Sequence, residues 1–144
     1  MTVAAILKHK GYDIIKIAPT DEIAEVAQVL SDHRIGAVLV MDRADQLLGI
    51  VSERDVVRSL SANGAGTLRM TAGQLMTRVL HTVTPDTSVI EAMHVMTNSR
   101  VRHLPVMKDG VLIGMISIGD VVKARITAQA QEVESLRAYV AGAT

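Results

Sequence analysis

Residues 49–57 spell GIVSERDVV, and residues 114–122 spell GMISIGDVV. Each stretch runs from an apolar strand-like segment into a Ser-x-x-Asp tetrad and then into two valines. An apolar run followed at once by Ser, with an acid three residues later, predicts a strand that ends where a capped helix begins. The chain therefore contains the same strand-to-helix corner twice, at residues 52–55 and 117–120.

The similarity extends well beyond the two corners. An offset of 66 residues aligns Pro19 with Pro85 and keeps the apolar positions matched as far as residues 40–41 and 106–107. An offset of 65 then aligns the corners, so the turn between the two strands is one residue shorter in the second copy. Because apolar spacing, turn position and polar spacing coincide, we interpret the pattern as an internal duplication.

Each copy predicts the order helix, strand, strand, helix, so the expected fold class is α/β (α+β) with two small sheets flanked by helices. We expect the first helices to be capped at Asp21 or Thr20 and at Thr87. Their apolar stripes are Ile23, Val26, Ala27 and Leu30 in one copy and Val89, Ala92, Met93 and Met96 in the other. The predicted strands span residues 37–41, 47–51, 104–107 and 111–116.

The segments around the copies carry weaker signals. Residues 61–68, SANGAGTL, predict a flexible linker. Residues 71–74 predict a capping box that opens a short helix through Met76, and residues 4–7 are its expected counterpart ahead of the first copy. Each copy is marginal in size on its own, so we expect the two to pack through their sheets as a pseudo-twofold pair.

Composition limits the possible partners. Of the 144 residues, 49% are hydrophobic, which excludes a disordered chain. Zero net charge and two tyrosines as the only aromatic residues argue against nucleic acid, and no run of 18 apolar residues predicts a membrane span. The N-terminal stretch lacks a signal-peptide pattern, and the absence of cysteine excludes thiolate chemistry. These features favour a cytoplasmic protein.

The Ser-x-x-Asp tetrads admit two interpretations that can hold together. In the first, Ser52 and Ser117 cap the helices, and Asp55 and Asp120 return the hydrogen bond. In the second, the helix-start N–H groups, the hydroxyl and the carboxylate face a ligand. The duplication favours a ligand, because two corners related by a pseudo-twofold axis would form two similar clefts, each with a carboxylate able to accept from a ribose diol.

The duplicated pattern resembles a pair of CBS domains, the cystathionine β-synthase type module also called a Bateman module. The resemblance covers about residues 1–125 and is carried by the two closing phrases and by the segments ERD, RHLPV and ISIGDVVK. Small stand-alone bacterial CBS-pair proteins of signal-transduction type are similar in these phrases. The implied division is a first repeat with linker at 1–68, a second repeat at 69–125 and a helical tail at 126–144.

The resemblance implies an adenosine-ligand sensor. In that family the corner aspartates, here Asp55 and Asp120, hold the ribose hydroxyls, while Ser52 and Ser117 approach ribose or phosphate. The backbone entering each repeat reads the adenine edge, and basic residues ahead of the first core strand hold phosphate. The remaining implied contacts are Lys16, Ile17, Ala37 and Arg54 in the first repeat and Thr82, Val83, Arg102, His103, Ile118 and Gly119 in the second.

The residues that would bind phosphate are expected to differ between the two repeats. Arg102 and His103 occupy the basic positions in the second repeat, where the first repeat has Gly36 and Ala37. Structural interpretations stay open for each basic residue: His103 as a packing histidine, Arg102 as a surface charge, and Arg54 as an ion-pair partner. The other histidines show no metal-ligand spacing, so no metal site is predicted.

The tail predicts one helix from residue 118 to about 141, ended by Gly142. A short heptad-like seam runs along it through Val122, Ile126, Val133, Leu136 and Val140. This seam could lie on its own domain or against a second copy, and the resemblance favours a homodimer.

The leading hypothesis is a regulatory module that binds AMP, ADP, ATP or NAD(H) in clefts between the paired repeats and signals to an unidentified effector protein. An enzyme is not expected, because the sequence lacks a nucleophile motif, a metal cluster and a Rossmann fingerprint. The alternative is a structural or protein-interaction pair with no physiological nucleotide.

Overall fold

The computed structural model describes residues 1–79 and 81–142. They fall into two compact units: a central unit, Ile14–Leu80, and a split unit, Met1–Asp13 with His81–Thr144. In chain order the elements are α1 (Val3–Lys10), β1 (Lys16–Ile17), α2 (Ile23–His33), β2 (Ala37–Met41), β3 (Leu47–Ser52), α3 (Glu53–Asn63), a 3₁₀ helix (Gly64–Arg69), α4 (Ala72–Leu75), β4 (Thr77–Arg78), α5 (Val89–Ser99), β5 (His103–Lys108), β6 (Val111–Ser117) and α6 (Ile118–Gly142).

The central unit is built on a four-stranded sheet in the order β1-β2-β3-β4. Strand β1 pairs parallel to β2, and the other pairs are antiparallel. Every residue of β2 is buried, as expected of a continuous apolar run covered by helices. The core of the central unit includes Ile23, Val26, Leu30, Val38, Val40, Val51, Val56 and Ala72.

The split unit repeats this plan with fewer named strands. Strands β5 and β6 pair antiparallel, and Val83 adds a parallel bridge to Val106 of β5. Helices α1, α5 and α6 cover the pair, with a core of Val3, Ile6, Leu7, Val83, Val89, Ala92, Met96, Leu104, Val106, Ile116 and Val121.

The structure confirms the fold class of two small sheets flanked by helices, and the two units share details finer than element order. The register of the strand pair shifts between Val40 and Met41 in one unit and between Val106 and Met107 in the other. These pairs are the ones that the 66-residue offset aligns, so one β-bulge recurs at matching positions. Strand β2 has the predicted bounds, whereas β3 and β6 each extend by one residue, to Ser52 and Ser117, and β5 extends by one residue at each end.

The compact units exchange their first helices relative to the sequence repeats. Helix α1 belongs to the unit of the second repeat, whereas α4 and β4 belong to the unit of the first. The predicted repeats, 1–68 and 69–125, therefore divide the chain differently from the compact units. The predicted tail, 126–144, begins within the continuous helix α6, and its residues 143 and 144 lie outside the described residues.

Two glycines leave room for the segments that the repeats exchange: Gly49 for residues 76–77 and Gly114 for Leu7 of α1. A Cβ placed on Gly49 would lie 2.7 Å from Met76 Sδ and 2.7 Å from Thr77 O, and one on Gly114 would lie 2.8 Å from Leu7 Cδ2. Gly49 and Gly114 are aligned residues of the duplication. At matching positions, each unit therefore lacks a side chain where it packs against the segment that comes from the other repeat.

The predicted N-cap positions of α2 and α5, Asp21 and Thr87, were each wrong by one residue. Helix α2 is preceded by Glu22, whose side chain makes no capping bond, and α5 is capped by Ser88, whose Oγ accepts from Glu91 N. The side chains expected to cap, Asp21 and Thr87, instead accept from the backbone N–H three residues earlier. A short polar side chain that closes a local turn is no longer available to the helix.

The prediction of a flexible linker at residues 61–68 was also wrong. Helix α3 continues to Asn63, and residues 64–69 form the 3₁₀ helix. Thr67 is fully buried there, and its hydroxyl lies 2.8 Å from that of Ser59. The capping box of α4 was predicted correctly, since Thr71 and Gln74 exchange both bonds. Among the described residues, no helix is long and apolar enough to cross a membrane.

Candidate functional site

The first corner is a closed capping box at the start of α3. The Asp55 Oδ2 atom accepts from Ser52 N at 2.8 Å and from Ser52 Oγ at 2.9 Å, while Asp55 N donates to Ser52 Oγ at 3.2 Å. Asp55 Oδ1 receives one long contact, 3.5 Å from Thr77 Oγ1 of strand β4. One carboxylate oxygen is thus used by the cap, and the other retains accepting capacity.

The second corner repeats this arrangement at the start of α6. Asp120 Oδ2 accepts from Ser117 N at 2.8 Å, and Asp120 N donates to Ser117 Oγ at 3.1 Å. The same Oδ2 atom accepts from Lys10 Nζ at 2.7 Å, and this ammonium also donates to Met115 O at 2.8 Å. Within the described part of the chain no hydrogen bond reaches Asp120 Oδ1.

The backbone holds both corners in the same way. Glu53 N donates to Gly36 O at 2.9 Å, and Ile118 N donates to Arg102 O at 2.8 Å. These two bonds tie the first turn of each corner helix to the residue before the first core strand. The strand registers agree, since Ala37 lies opposite Ser52, and His103 lies opposite Ser117. The equivalence of positions 36–37 and 102–103 inferred from the sequence is thus visible in the backbone.

The structure gathers Arg102, His103, Ile118 and Gly119 around the Asp120 corner, and it places Thr82 and Val83 beside strand β5. Arg102 and Gly119 are exposed beside the Asp120 corner, and His103 is half-buried on β5. Val83 is buried and pairs with β5 through Val83 N–Pro105 O and Met107 N–Val83 O bonds of 3.0 and 2.8 Å. Thr82, next to it, is exposed. A ligand role for these residues stays a prediction.

The predicted first-repeat residues are more dispersed. Ile17 and Ala37 are buried in paired strands, so only their backbones could meet a ligand. Lys16 Nζ lies 2.8 Å from Asp45 Oδ1, in an ion pair exposed on both sides. Arg54 is exposed and forms no ion pair with Asp55 or any other described residue. The ion-pair interpretation of Arg54 is therefore not found within this chain.

Sequence reasoning missed two side chains at the corners. Lys10, at the last position of α1, reaches Asp120, and Thr77, the first residue of β4, reaches Asp55. Each comes from the exchanged segment of its unit, and Lys10 precedes its partner by 110 residues. No local spacing could have found either contact. The only related signal was the expected equivalence of the short helices at residues 4–7 and 71–76, and this equivalence did not identify the partner residues.

The Lys10–Asp120 pair sets the charge state of the second corner. Partial burial raises the pKa of the Asp120 carboxyl, but the bonds and charge of Lys10 together with the Ser117 N–H outweigh burial. The pKa of Asp120 therefore lies below its usual range, and the carboxylate is ionised at neutral pH.

Replacing Lys10 by methionine should weaken the fold at neutral pH but not in acid. A carboxyl whose pKa is lowered by folding stabilises the protein above its unfolded pKa, and that stabilisation is lost as the pH falls through the folded value. The difference in unfolding free energy between wild type and Lys10→Met should thus shrink as the pH falls below about 4. Urea unfolding at several pH values measures it, with Lys8→Met, an exposed lysine of the same helix, as control. A gap that is constant with pH would contradict this role for Lys10.

A separate groove lies behind the first corner. It has a volume of about 500 Å³ and is formed by α2 and α3 around Leu30, Arg34 and Val56. Glu53 lines it, but Ser52 and Asp55 do not. In the part of the chain that the structure describes, no group of three or more His, Cys, Asp or Glu side chains could hold a metal ion.

Comparisons with known proteins agree on one family. The family model for the CBS domain matches residues 3–62 and 72–127. The mitochondrial CBS domain-containing protein CBSX3 of Arabidopsis thaliana is 36% identical over 149 residues, which cover 98% of this chain and 72% of that protein. A solved CBS-domain containing protein of Agrobacterium tumefaciens is 40% identical with a TM-score of 0.84, over 86% of this chain and 92% of that one. A CBS domain protein of Pyrobaculum aerophilum, solved in complex with AMP, is 27% identical with a TM-score of 0.74, over 83% and 89% of the two chains.

Proposed function

This chain belongs to the CBS domain family, and from that premise we propose that it is a regulatory module whose Ser-x-x-Asp corners bind an adenine nucleotide. The candidate ligands are AMP, ADP, ATP and NAD(H), with AMP supported by the related protein that was solved with it. The observation that carries the proposal is that the Oδ1 atom of each corner aspartate is not used by the capping box. In both units the cap uses Oδ2 and leaves Oδ1 able to accept from a ribose hydroxyl.

The surroundings of the second corner support the phosphate end of such a ligand. Arg102 is exposed and its carbonyl is bonded to the first residue of α6, so its side chain starts beside the helix N-terminus. Helix N-termini favour anions through their free N–H groups. These features support the proposal that Arg102 holds phosphate while Asp120 holds ribose.

Calorimetric titration of the purified protein with AMP, ADP, ATP and NAD(H) tests the proposal. We expect saturable binding of at least one of these ligands, and mass spectrometry of the native protein should identify any nucleotide that it carries from the cell. No binding of any of the four at millimolar concentration would reject the proposal.

The second candidate function is a structural or protein-interaction pair with no physiological nucleotide. The observation that favours it is the completeness of the Ser52–Asp55 capping box, in which both bonds form without a ligand. The same titration decides between the two candidate functions, because a CBS pair that binds no nucleotide would release no heat of binding. In either case we propose a regulatory rather than an enzymatic protein, acting on an effector protein in the cytoplasm.

We further propose that the protein forms a homodimer through helix α6. The seam residues Val122, Ile126, Val133, Leu136 and Val140 are 46–63% exposed, which is a long apolar stripe to leave in water. A second copy of the helix would cover it.

Truncation of the chain before Ala128 should convert the dimer to a monomer, because it removes the seam residues from Val133 onward. Light scattering of the full chain and of the truncated chain gives the two masses. A dimer of unchanged mass after truncation would show that the tail takes no part in the interface.

A further inference from the structure

The two corners have the same backbone but different charges around their aspartates. Asp120 is paired with the Lys10 ammonium at 2.7 Å, whereas the side chain that reaches Asp55 from outside its capping box is the neutral hydroxyl of Thr77 at 3.5 Å. Among the described residues Asp55 has no ion-pair partner. A difference of one positive charge at otherwise matching sites should affect which ligands they accept.

The neighbouring charges increase this difference. At the first corner Glu53 and Asp55 outnumber Arg54, so the corner is negative overall. Arg78 of β4 does not offset this, because adjacent strand residues point to opposite faces and Thr77 is the one directed at Asp55.

At the second corner the balance is reversed. Lys10 and Arg102 outnumber Asp120, since Ile118 and Gly119 replace the charged pair of the first corner. Lys123 and Arg58 occupy the same place three residues after each aspartate, so they do not distinguish the corners.

A nucleotide needs a counter-charge wherever an aspartate binds its ribose. The phosphate of a 5′-monophosphate is separated from the ribose hydroxyls by only a few bonds, so it lies within about 8 Å, one Debye length, of that carboxylate. A phosphate monoester carries a charge of about −1.5 to −2 at neutral pH, and an unpaired aspartate would repel it. Lys10 removes this repulsion at the second corner without using the Oδ1 atom that ribose needs.

We infer that Lys10 is a specificity-determining residue, which makes the Asp120 corner a site for phosphorylated adenosine while the Asp55 corner favours uncharged adenosine compounds. This inference rests on the proposed function and adds to it a ligand class for each corner. Lys10 acts through charge, by neutralising Asp120 and by offering its remaining N–H to the phosphate. Its side chain is 39% exposed, so it can turn toward a ligand without crossing the core.

Nuclear magnetic resonance titration can read the two corners separately, through the amide signals of Gly119 and Arg54. In wild type we expect the Gly119 signal to report tighter binding of AMP than of adenosine. Lys10→Met should lower this AMP-over-adenosine preference about tenfold, the size of one charge-assisted hydrogen bond at a partly exposed site. Lys10→Arg should keep the preference, and Lys8→Met should leave it unchanged. The Arg54 signal should show no such preference in any of these proteins.

A salt titration of the wild type gives a second test that does not depend on a variant folding. Affinity for AMP at the Gly119 signal should fall with ionic strength, whereas affinity for adenosine should not. An equal preference in Lys10→Met and wild type, or a salt-independent preference, would overturn the inference while leaving the proposed function in place. If neither signal responds to AMP, the role of Lys10 fails; the proposed function fails with it only if neither signal responds to ADP, ATP or NAD(H) either.

Discussion

Asp120→Asn should remove about half or more of the stabilisation that AMP gives to this protein. At 100 times its dissociation constant, a ligand that binds only the folded state adds about 2.7 kcal/mol to the free energy of unfolding. For a chain of this size that corresponds to a rise in melting temperature of roughly 5–10 °C. Asparagine keeps the shape of the side chain, but it replaces a charged acceptor and one accepting oxygen with an amide.

The loss follows from the strength of hydrogen bonds to a carboxylate. Each such bond contributes about 1.5–3 kcal/mol, so its removal weakens binding by tenfold or more. At an unchanged AMP concentration the stabilisation should then fall to about 1.4 kcal/mol or less. Thermal melting with and without AMP measures both values.

Asp42→Asn is the matched control for this experiment. Asp42 also has a carboxylate that accepts two backbone N–H bonds, from Ala44 and Gln46 at 2.9 Å each, but it lies in the turn between β2 and β3. The control should show the same AMP-induced shift as wild type. Equal shifts in Asp120→Asn and wild type would contradict the assignment of the ribose contact to Asp120.

Gly49→Ala should destabilise the central unit by about 2 kcal/mol, within the range for overpacking a tight site. The new methyl group would lie 2.7 Å from Thr77 O, which is a backbone atom of β4. Strand β4 pairs with β3 at this point, Gly49 opposite Arg78, so it cannot retreat without losing its sheet bonds. Because Thr77 also reaches Asp55, a displaced β4 should disturb the first corner as well.

Gly114→Ala should cost less than Gly49→Ala. Its closest neighbour is the end of a leucine side chain, Leu7 Cδ2 at 2.8 Å, which can change rotamer more easily than a paired strand can move. Gly66→Ala is the control, since nothing lies within 4 Å of its added Cβ. Denaturant unfolding ranks the three variants. A Gly49→Ala protein as stable as Gly66→Ala would show that β4 is not held in the way described.

The features that could be predicted from the sequence are those set by neighbouring residues. The two corners, the buried strand of residues 37–41 and the α4 capping box depend on patterns within a few positions, and the duplication reinforced the first two of these. The capping atoms of α2 and α5 were missed because Asp21 and Thr87 can bond either to a turn or to a helix, and sequence alone does not rank two local bonds of similar strength.

The contacts that were missed depend on distant parts of the chain. The glycine-containing segment 61–68 is divided between the end of α3 and the 3₁₀ helix, where Thr67 finds a buried hydroxyl partner in Ser59. Lys10 reaches Asp120 only because α1 leaves its own repeat for the other unit. Tertiary packing of this kind leaves no periodic signal in the sequence around either residue.

The exchange of first helices also sets the order in which the nascent chain can finish folding. Every part of the central unit has been synthesised once residue 80 has left the ribosome, so that unit can close early. Helix α1 is made before the central unit, yet its docking surface includes Gly114 and Asp120, which are made about a hundred residues later. The Lys10–Asp120 corner is therefore completed late in biosynthesis, and until then the apolar face of α1 is a segment for chaperones to shield.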